Sequence, residues 1–242
     1  MNYNIEGITL DLDDTLVDSR SAWKNGFKKT FSDLICLNKQ TTSQFNLDTI
    51  YIEYTQIVST SHETAKSSEW SEDIAKISYK EISKKYLNIE ININEIWNNF
   101  EKEWQASIDL FPESLEIIKN LSTKYKLGMI TNGLSAHQRF KIEKFSLEKF
   151  FNCILISEEF GNQKPDKSIF NKATELMKIK PQEIIHIGDN PAHDVIGANN
   201  SEIISCWIKR KNNWYKENIN IRPDYTIKNL KEIIQIIDLH ND

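Results

Sequence analysis

Short apolar runs, each long enough for one strand and separated by segments of helical spacing, constrain this chain most. They are Ile5–Leu12, Lys126–Thr131, Cys153–Ser157, Ile184–Gly188 and Ile203–Ile208. Helical spacing falls at Pro112–Lys124, Ala136–Phe145, Asp166–Met177, Ala192–Asn199 and Leu230–Leu239. Strand alternating with helix implies βαβ units, because parallel neighbours need a crossover connection. The expected fold class is therefore α/β, a Rossmann-like parallel sheet.

Between the first run and Pro112 the pattern changes to helical spacing with no convincing strand. Trp23, Phe27, Phe31, Leu34 and Ile35 share one helical face, as do Ile93, Ile96, Trp97, Phe100 and Trp104. This stretch reads as an inserted helical bundle, residues 17–108, dividing a core of residues 1–16 and 109–242. Its aromatics are expected to be bundle core. Trp23, Phe27, Phe45, Tyr51, Tyr54 and Trp70 are the ones from which a ring-stacking residue could come. A length of 242 residues accommodates one domain and such an insertion.

The composition narrows the function. A net charge of -5 argues against nucleic-acid binding through overall charge. The start of the chain lacks a basic, apolar leader, and no run reaches the roughly 20 residues of a membrane span. A cytoplasmic, non-membrane protein is expected, with no reading of oligomeric state. Cys36, Cys153 and Cys206 are isolated, as expected for reduced thiols, with the last two in apolar runs. With only 7 glycines, the chain has neither the dinucleotide nor the P-loop fingerprint.

Polar clusters stand at the ends of the apolar runs. They are Asp11-Leu-Asp13-Asp14-Thr15, Thr131-Asn132-Gly133, Gly161-Asn-Gln-Lys164-Pro165-Asp166, and Gly188-Asp189-Asn190-Pro191-Ala-His-Asp194. In an open parallel sheet the carboxyl ends of the strands face one crevice, so these clusters can converge. Carboxylates gathered at one place repel, and a divalent cation or a raised pKa relieves them. All-oxygen ligation suits Mg2+, whereas zinc would use His186 or His193. An EF-hand reading of the first cluster fails, since Leu16 stands where Gly is required and Ala22 where Glu is. Lys164, ahead of Pro165 and a helix start, could present an ammonium to a phosphate.

The D-x-D-x-T run from Asp11 to Thr15 resembles the first motif of the haloacid dehalogenase (HAD) superfamily. Thr131, Lys164 and the Asp189/Asp194 pair resemble its second, third and fourth motifs in order. The inserted helices resemble the cap found after the first motif in one branch of that superfamily. The stretches from Thr131 through Ser157-Glu158-Glu159 to Lys167, and Cys206-Trp207, are similar to bacterial pyrimidine 5'-nucleotidases and FMN phosphatases. The resemblance implies Asp11 as nucleophile and Asp13 as general acid and base. It implies Mg2+ held by the Asp11 side chain, the Asp13 carbonyl and Asp189, with Asp194 orienting its waters or Lys164. Thr131, Asn132 and Lys164 would bind the phosphoryl group of a small phosphomonoester, a nucleotide or FMN ahead of sugar phosphates. Asp13 separates this pattern from the dehalogenases, which lack it; a phosphomutase or a non-catalytic binding protein remain the alternatives.

Overall fold

A computed structural model describes residues 4–65, 71–210 and 222–241. The chain forms two compact units, one comprising the residues up to Asp18 with those from Leu110 onward, the other Ser19–Asp109.

The first unit is built on six parallel strands, β1 (Gly7–Leu10), β2 (Lys126–Thr131), β3 (Cys153–Ile156), β4 (Ile184–Gly188), β5 (Ile204–Ile208) and β6 (Tyr225–Ile227), in the order β3-β2-β1-β4-β5-β6. The α/β parallel-sheet fold expected from the alternating runs is what forms. β1 and β4 are buried along their whole length, which is why they read as continuous apolar runs rather than alternating ones. Leu10 pairs in register with both Met129 and Ile187, so β1, β2 and β4 end at nearly the same level. The strand order reverses at β1, and there the crossovers leave a crevice at the carboxyl ends.

Numbering helices along the whole chain, this unit carries α5 (Ser114–Ser122), α6 (Ser135–Lys144), α7 (Ser157–Phe160), α8 (Lys167–Met177), α9 (Ile196–Asn200) and α10 (Ile233–Asn241). Phe170, Ala173 and Met177 of α8 pack with Ile130 and Leu155 of the sheet. The helix expected at Ala192–Asn199 begins instead as a π-helical turn, Pro191–Val195, before α9. The edge strand β6, Tyr225–Ile227, has only three residues and no apolar run, so the sequence pattern does not reveal it.

The second unit contains α1 (Ser19–Leu37), α2 (Leu47–Ala65), α3 (Glu72–Leu87) and α4 (Ile93–Ser107), with no strand among its described residues. Ser71 caps α3 by accepting from the Ile74 amide, and Asn88 closes it in the left-handed region at φ 53°. Phe27, Phe31, Tyr54 and Tyr79 are buried together, ring against ring, and the Tyr79 hydroxyl pairs with Thr30 Oγ1 at 2.8 Å. Trp97, Phe100 and Trp104 surround the half-buried Trp23. Phe45 and Tyr51 are half-buried, and Trp70 lies outside the described residues.

The two chain connections of the first unit are tied to one another. Phe111 N donates to Leu16 O, Ser114 Oγ donates to the same carbonyl, and Arg210 donates to both Thr15 O at 2.7 Å and Glu113 Oε1 at 2.6 Å. Burial is the largest single influence and would raise the Glu113 pKa, but the Arg210 hydrogen bond and charge, together with main-chain amides that include Leu230 N, outweigh it and hold the carboxyl below the ordinary range. A depressed folded pKa adds stability that is present above the unfolded value and lost as pH falls through the folded one. Glu113→Gln should therefore cost about 2 kcal/mol at neutral pH, with the gap to the wild type closing below about pH 4. Chemical denaturation at several pH values checks both parts.

Candidate active site

β1 delivers Asp11 into the crevice, and its amide donates to Ile187 O, which carries the β1–β4 pairing one step past the strand end. β4 is followed by Asp189 and by the π-helical turn bearing Asp194. Carboxylate oxygens of Asp11, Asp189 and Asp194 lie within 4.8 Å of one another, and all three residues are buried. Such short π segments recur at functional sites. Here the turn points Asp194 back over the end of β4, where its Oδ2 accepts from the Asn190 amide at 2.9 Å.

Lys164 joins the strand ends. Its Nζ donates to Asp11 Oδ1 at 2.7 Å and to Asp194 Oδ1 at 2.6 Å, and the residue is only 2% exposed. Asn132, just past β2, grips the Lys164 main chain from both sides: its Oδ1 accepts from Lys164 N at 2.9 Å and its Nδ2 donates to Lys164 O at 3.0 Å. The ammonium is thus aimed inward, at carboxylates. The first amides of α8 are met by the side chain of Asp166, which accepts from Ser168 N at 2.7 Å.

The shared cation acts differently on its two partners. Burial pushes Asp11 up, Lys164 pulls it back, and the neighbouring Asp194 charge raises it again, leaving it at about 7. For Asp194 burial also acts upward, but Lys164 and His186 outweigh it and hold the carboxyl well below the usual range. Lys164 would be lowered by burial, yet Asp11 and Asp194 raise it above an ordinary lysine. The ammonium therefore stays charged, as buried ion pairs require.

His186 sits inside β4, its Nδ1 2.9 Å from Thr9 Oγ1 and its Nε2 3.2 Å from Asp194 Oδ1. His193 Nδ1 faces Asn190 Nδ2 at 3.0 Å. Burial lowers the pKa of both rings. Neither belongs to the carboxylate cluster, and the donor set there is all oxygen. Burial also pushes the thiols of Cys153 to about 11 and Cys206 to about 12, so both are inert core groups.

Thr131 is fully buried at the end of β2, and its Oγ1 has no partner among the described residues. A buried hydroxyl is seldom left unpaired without a reason, and a ligand oxygen is one. Asp13, two residues past Asp11, is half-buried and paired with Gln138 and Lys141 of α6. The turn that follows Asp13 has Asp14 in the left-handed region at φ 55°. Gln138 and Lys141, the support that His186 gives Asp194, and the bond that Trp207 Nε1 donates to Asp189 O at 2.9 Å carry no signal in the sequence pattern.

Residues 8–208 match the family of haloacid dehalogenase-like hydrolases. The chain belongs to this family. It is 31% identical over 156 residues to pyrimidine 5'-nucleotidase YjjG of Escherichia coli, covering 64% of this chain and 67% of that one. It is 27% identical over 215 residues to 5-amino-6-(5-phospho-D-ribitylamino)uracil phosphatase YigB of the same organism, covering 86% and 85%. The crystal structure of the putative HAD-hydrolase YfnB from Bacillus subtilis, bound to magnesium, superposes with a TM-score of 0.78 at 22% identity, covering 97% and 99% of the two chains. That likeness is one of fold. This HAD-family enzyme is a hydrolase, and no helix among its described residues is long and apolar enough to cross a membrane.

Gly188 gives a direct test of how the site is assembled. A Cβ built there would lie 2.1 Å from Asp194 Cγ, closer than real contacts allow. Gly188→Ala should displace the Asp194 carboxylate, cost about 1–3 kcal/mol of stability, and separate Lys164 from Asp194. Thermal unfolding and a crystal structure of the variant measure the two effects.

Proposed function

We propose that the protein is a Mg2+-dependent phosphomonoester hydrolase that works through an aspartyl phosphate on Asp11. The observation that carries this reading is the buried Asp11–Lys164–Asp194 arrangement at the sheet's switch point, beside the unpartnered Thr131 hydroxyl.

An oxygen of the Asp11 carboxylate attacks phosphorus, the ester P–O bond breaks, and the leaving oxygen takes a proton from the Asp13 carboxyl group. Asp13, now a carboxylate, takes a proton from water as the water oxygen attacks the same phosphorus. The bond from phosphorus to Asp11 breaks, and inorganic phosphate leaves. Thr131 Oγ1 and the Asn132 amide hydrogen-bond the phosphoryl oxygens, and Lys164 neutralises charge that develops there. Asp194 holds Lys164 in place.

Three converging carboxylates bring three negative charges to a place where Lys164 contributes one positive charge. An all-oxygen set with that excess suits Mg2+, which the Asp11 and Asp189 side chains and the Asp13 main-chain carbonyl would hold, with Asp194 beside them. Bound there, Mg2+ supplies shielding between nucleophile and phosphate.

The helical unit Ser19–Asp109 corresponds to the inserted cap of the family. For the substrate, the reading favours a nucleoside monophosphate or FMN. The two Escherichia coli relatives support it, since one is named a pyrimidine 5'-nucleotidase and the other a phosphatase of a phosphoribitylamino-uracil. Asp13 favours phosphate esters over haloacids, because an alkoxide leaving group needs a proton and a halide does not.

Phosphate release from nucleotides, FMN, sugar phosphates and phosphoglycolate, with Mg2+ or EDTA, tests the reaction and ranks the substrates. Activity should vanish in EDTA and fall by about 10⁴-fold or more in Asp11→Asn. A large preference in kcat/KM for sugar phosphates would remove the nucleotide assignment. Silence across the panel with Mg2+ bound would point to a phosphomutase, and silence without binding to a non-catalytic protein.

A further inference from the structure

Helix α6 buries polar side chains. Gln138 is 2% exposed and Lys141 3%, with Ile142 the apolar residue beside them. Lysine is almost never fully buried unless it is paired, and here the partner is Asp13. Lys141 Nζ donates to Asp13 Oδ1 at 2.5 Å, and Gln138 Nε2 donates to Asp13 Oδ2 at 2.8 Å. Gln138 and Lys141 are three residues apart, on one helical face, so a single rigid helix grips both oxygens of one carboxylate. Gln138 Nε2 also donates to Asn132 O at 2.7 Å. That second bond ties Asp13 to the Thr131-Asn132-Gly133 turn, the segment assigned above to phosphoryl binding.

The chain accommodates this arrangement at some cost. Gly133 adopts φ 139°, and a Cβ built there would lie 2.5 Å from Gln138 Nε2, so the turn must be glycine for the amide to reach. Gln138 Oε1 is buried without a partner among the described residues. An amide kept in an apolar-compatible position with one end unsatisfied is accounted for by what its other end holds. A solvated helix face would need none of this.

We propose that Gln138 and Lys141 are positioning residues for acid-base chemistry at Asp13, fixing its carboxyl group relative to the phosphoryl-binding turn. The inference rests on the reading of Asp13 as the proton donor to the leaving group. Proton transfer demands hydrogen-bond distance to the departing oxygen, and a side chain free to rotate would spend most of its time elsewhere. Gripping both oxygens removes that freedom while leaving the Asp13 side chain 29% exposed, open to a leaving group and to water.

The dependence of kcat/KM on leaving-group acidity separates positioning from a structural role. In a series of para-substituted phenyl phosphates, p-nitrophenolate departs without a proton, whereas p-methoxyphenolate benefits from one. Asp13→Asn should lower kcat/KM for the p-methoxyphenyl ester by about 10²-fold and affect the p-nitrophenyl ester far less, steepening the dependence. Lys141→Met, which keeps the aliphatic stem, should steepen it in the same sense by about ten-fold, and Lys141→Arg should restore part of the loss. Gln138→Met, which also removes the unsatisfied oxygen, should do the same and serves if Lys141→Met fails to fold. If Asp13→Asn steepens the dependence and the Lys141 and Gln138 variants keep the wild-type slope, the positioning role is overturned and the reading of Asp13 stands. Equal losses on every ester in those variants would likewise overturn it. A wild-type slope in Asp13→Asn would instead remove the proton-donor reading itself.

Discussion

One buried ammonium organises the first unit. Lys164 would be costly to keep charged away from water, and it stays charged because Asp11 and Asp194 meet it at hydrogen-bond distance. Each partner comes from a different strand end: Asp11 from β1, Asp194 from the turn after β4, and Asn132, which grips the Lys164 main chain, from β2. Removing the ammonium would leave the Asp11 and Asp194 carboxylates facing one another without the cation between them. The in-register endings of β1, β2 and β4 are what make the convergence possible, so sheet pairing and site electrostatics are the same constraint seen at two scales.

The two carboxylates that share Lys164 are not equivalent. Asp194 also accepts from the Asn190 amide and faces His186, which is itself paired to Thr9 on the neighbouring strand. Those bonds commit it to the charged form and make it the fixed pole of the pair. Asp11 carries the burial penalty with less relief, and the Asp194 charge adds to it. A carboxylate left in that condition gains most from a cation arriving beside it. The fixed pole thus holds the lysine, and the strained one is available for chemistry.

How far this was legible in the sequence follows from where each signal lies. Strands buried on both faces read as apolar runs, and the polar clusters after them marked Asp11, Thr131, Asp189 and Asp194 at or just beyond strand ends, and Lys164 between α7 and α8. Edge strand β6 has three residues, of which only Ile227 is buried, and it offers no run to read. The π-helical turn has the composition of ordinary helix, because the extra residue in a π turn leaves that composition unchanged. Gln138 and Lys141 look like a solvated helix face. Their burial is set by Asp13, which lies 125 and 128 residues away in the chain, and local pattern carries no trace of so distant a partner.

Two carboxylates separated by one residue end in opposite surroundings, and the backbone is the reason. Leu12 turns into the core, fully buried, while Asp14 takes the left-handed conformation and its amide bonds back to Val17 O at 2.7 Å. Asp11 is held in the crevice by Ile187 O and Lys164, and Asp13 is held at α6 by Gln138 and Lys141. A nucleophile benefits from exclusion of water, because it attacks without first shedding a hydration shell and the attraction of the Lys164 ammonium for phosphoryl oxygens strengthens as the dielectric falls. A group that must pass a proton to a leaving oxygen and then take one from water needs contact with both. The D-x-D-x-T turn separates these environments within three residues, and the helix after β2 supplies the donors that keep the outer carboxylate from drifting into solvent.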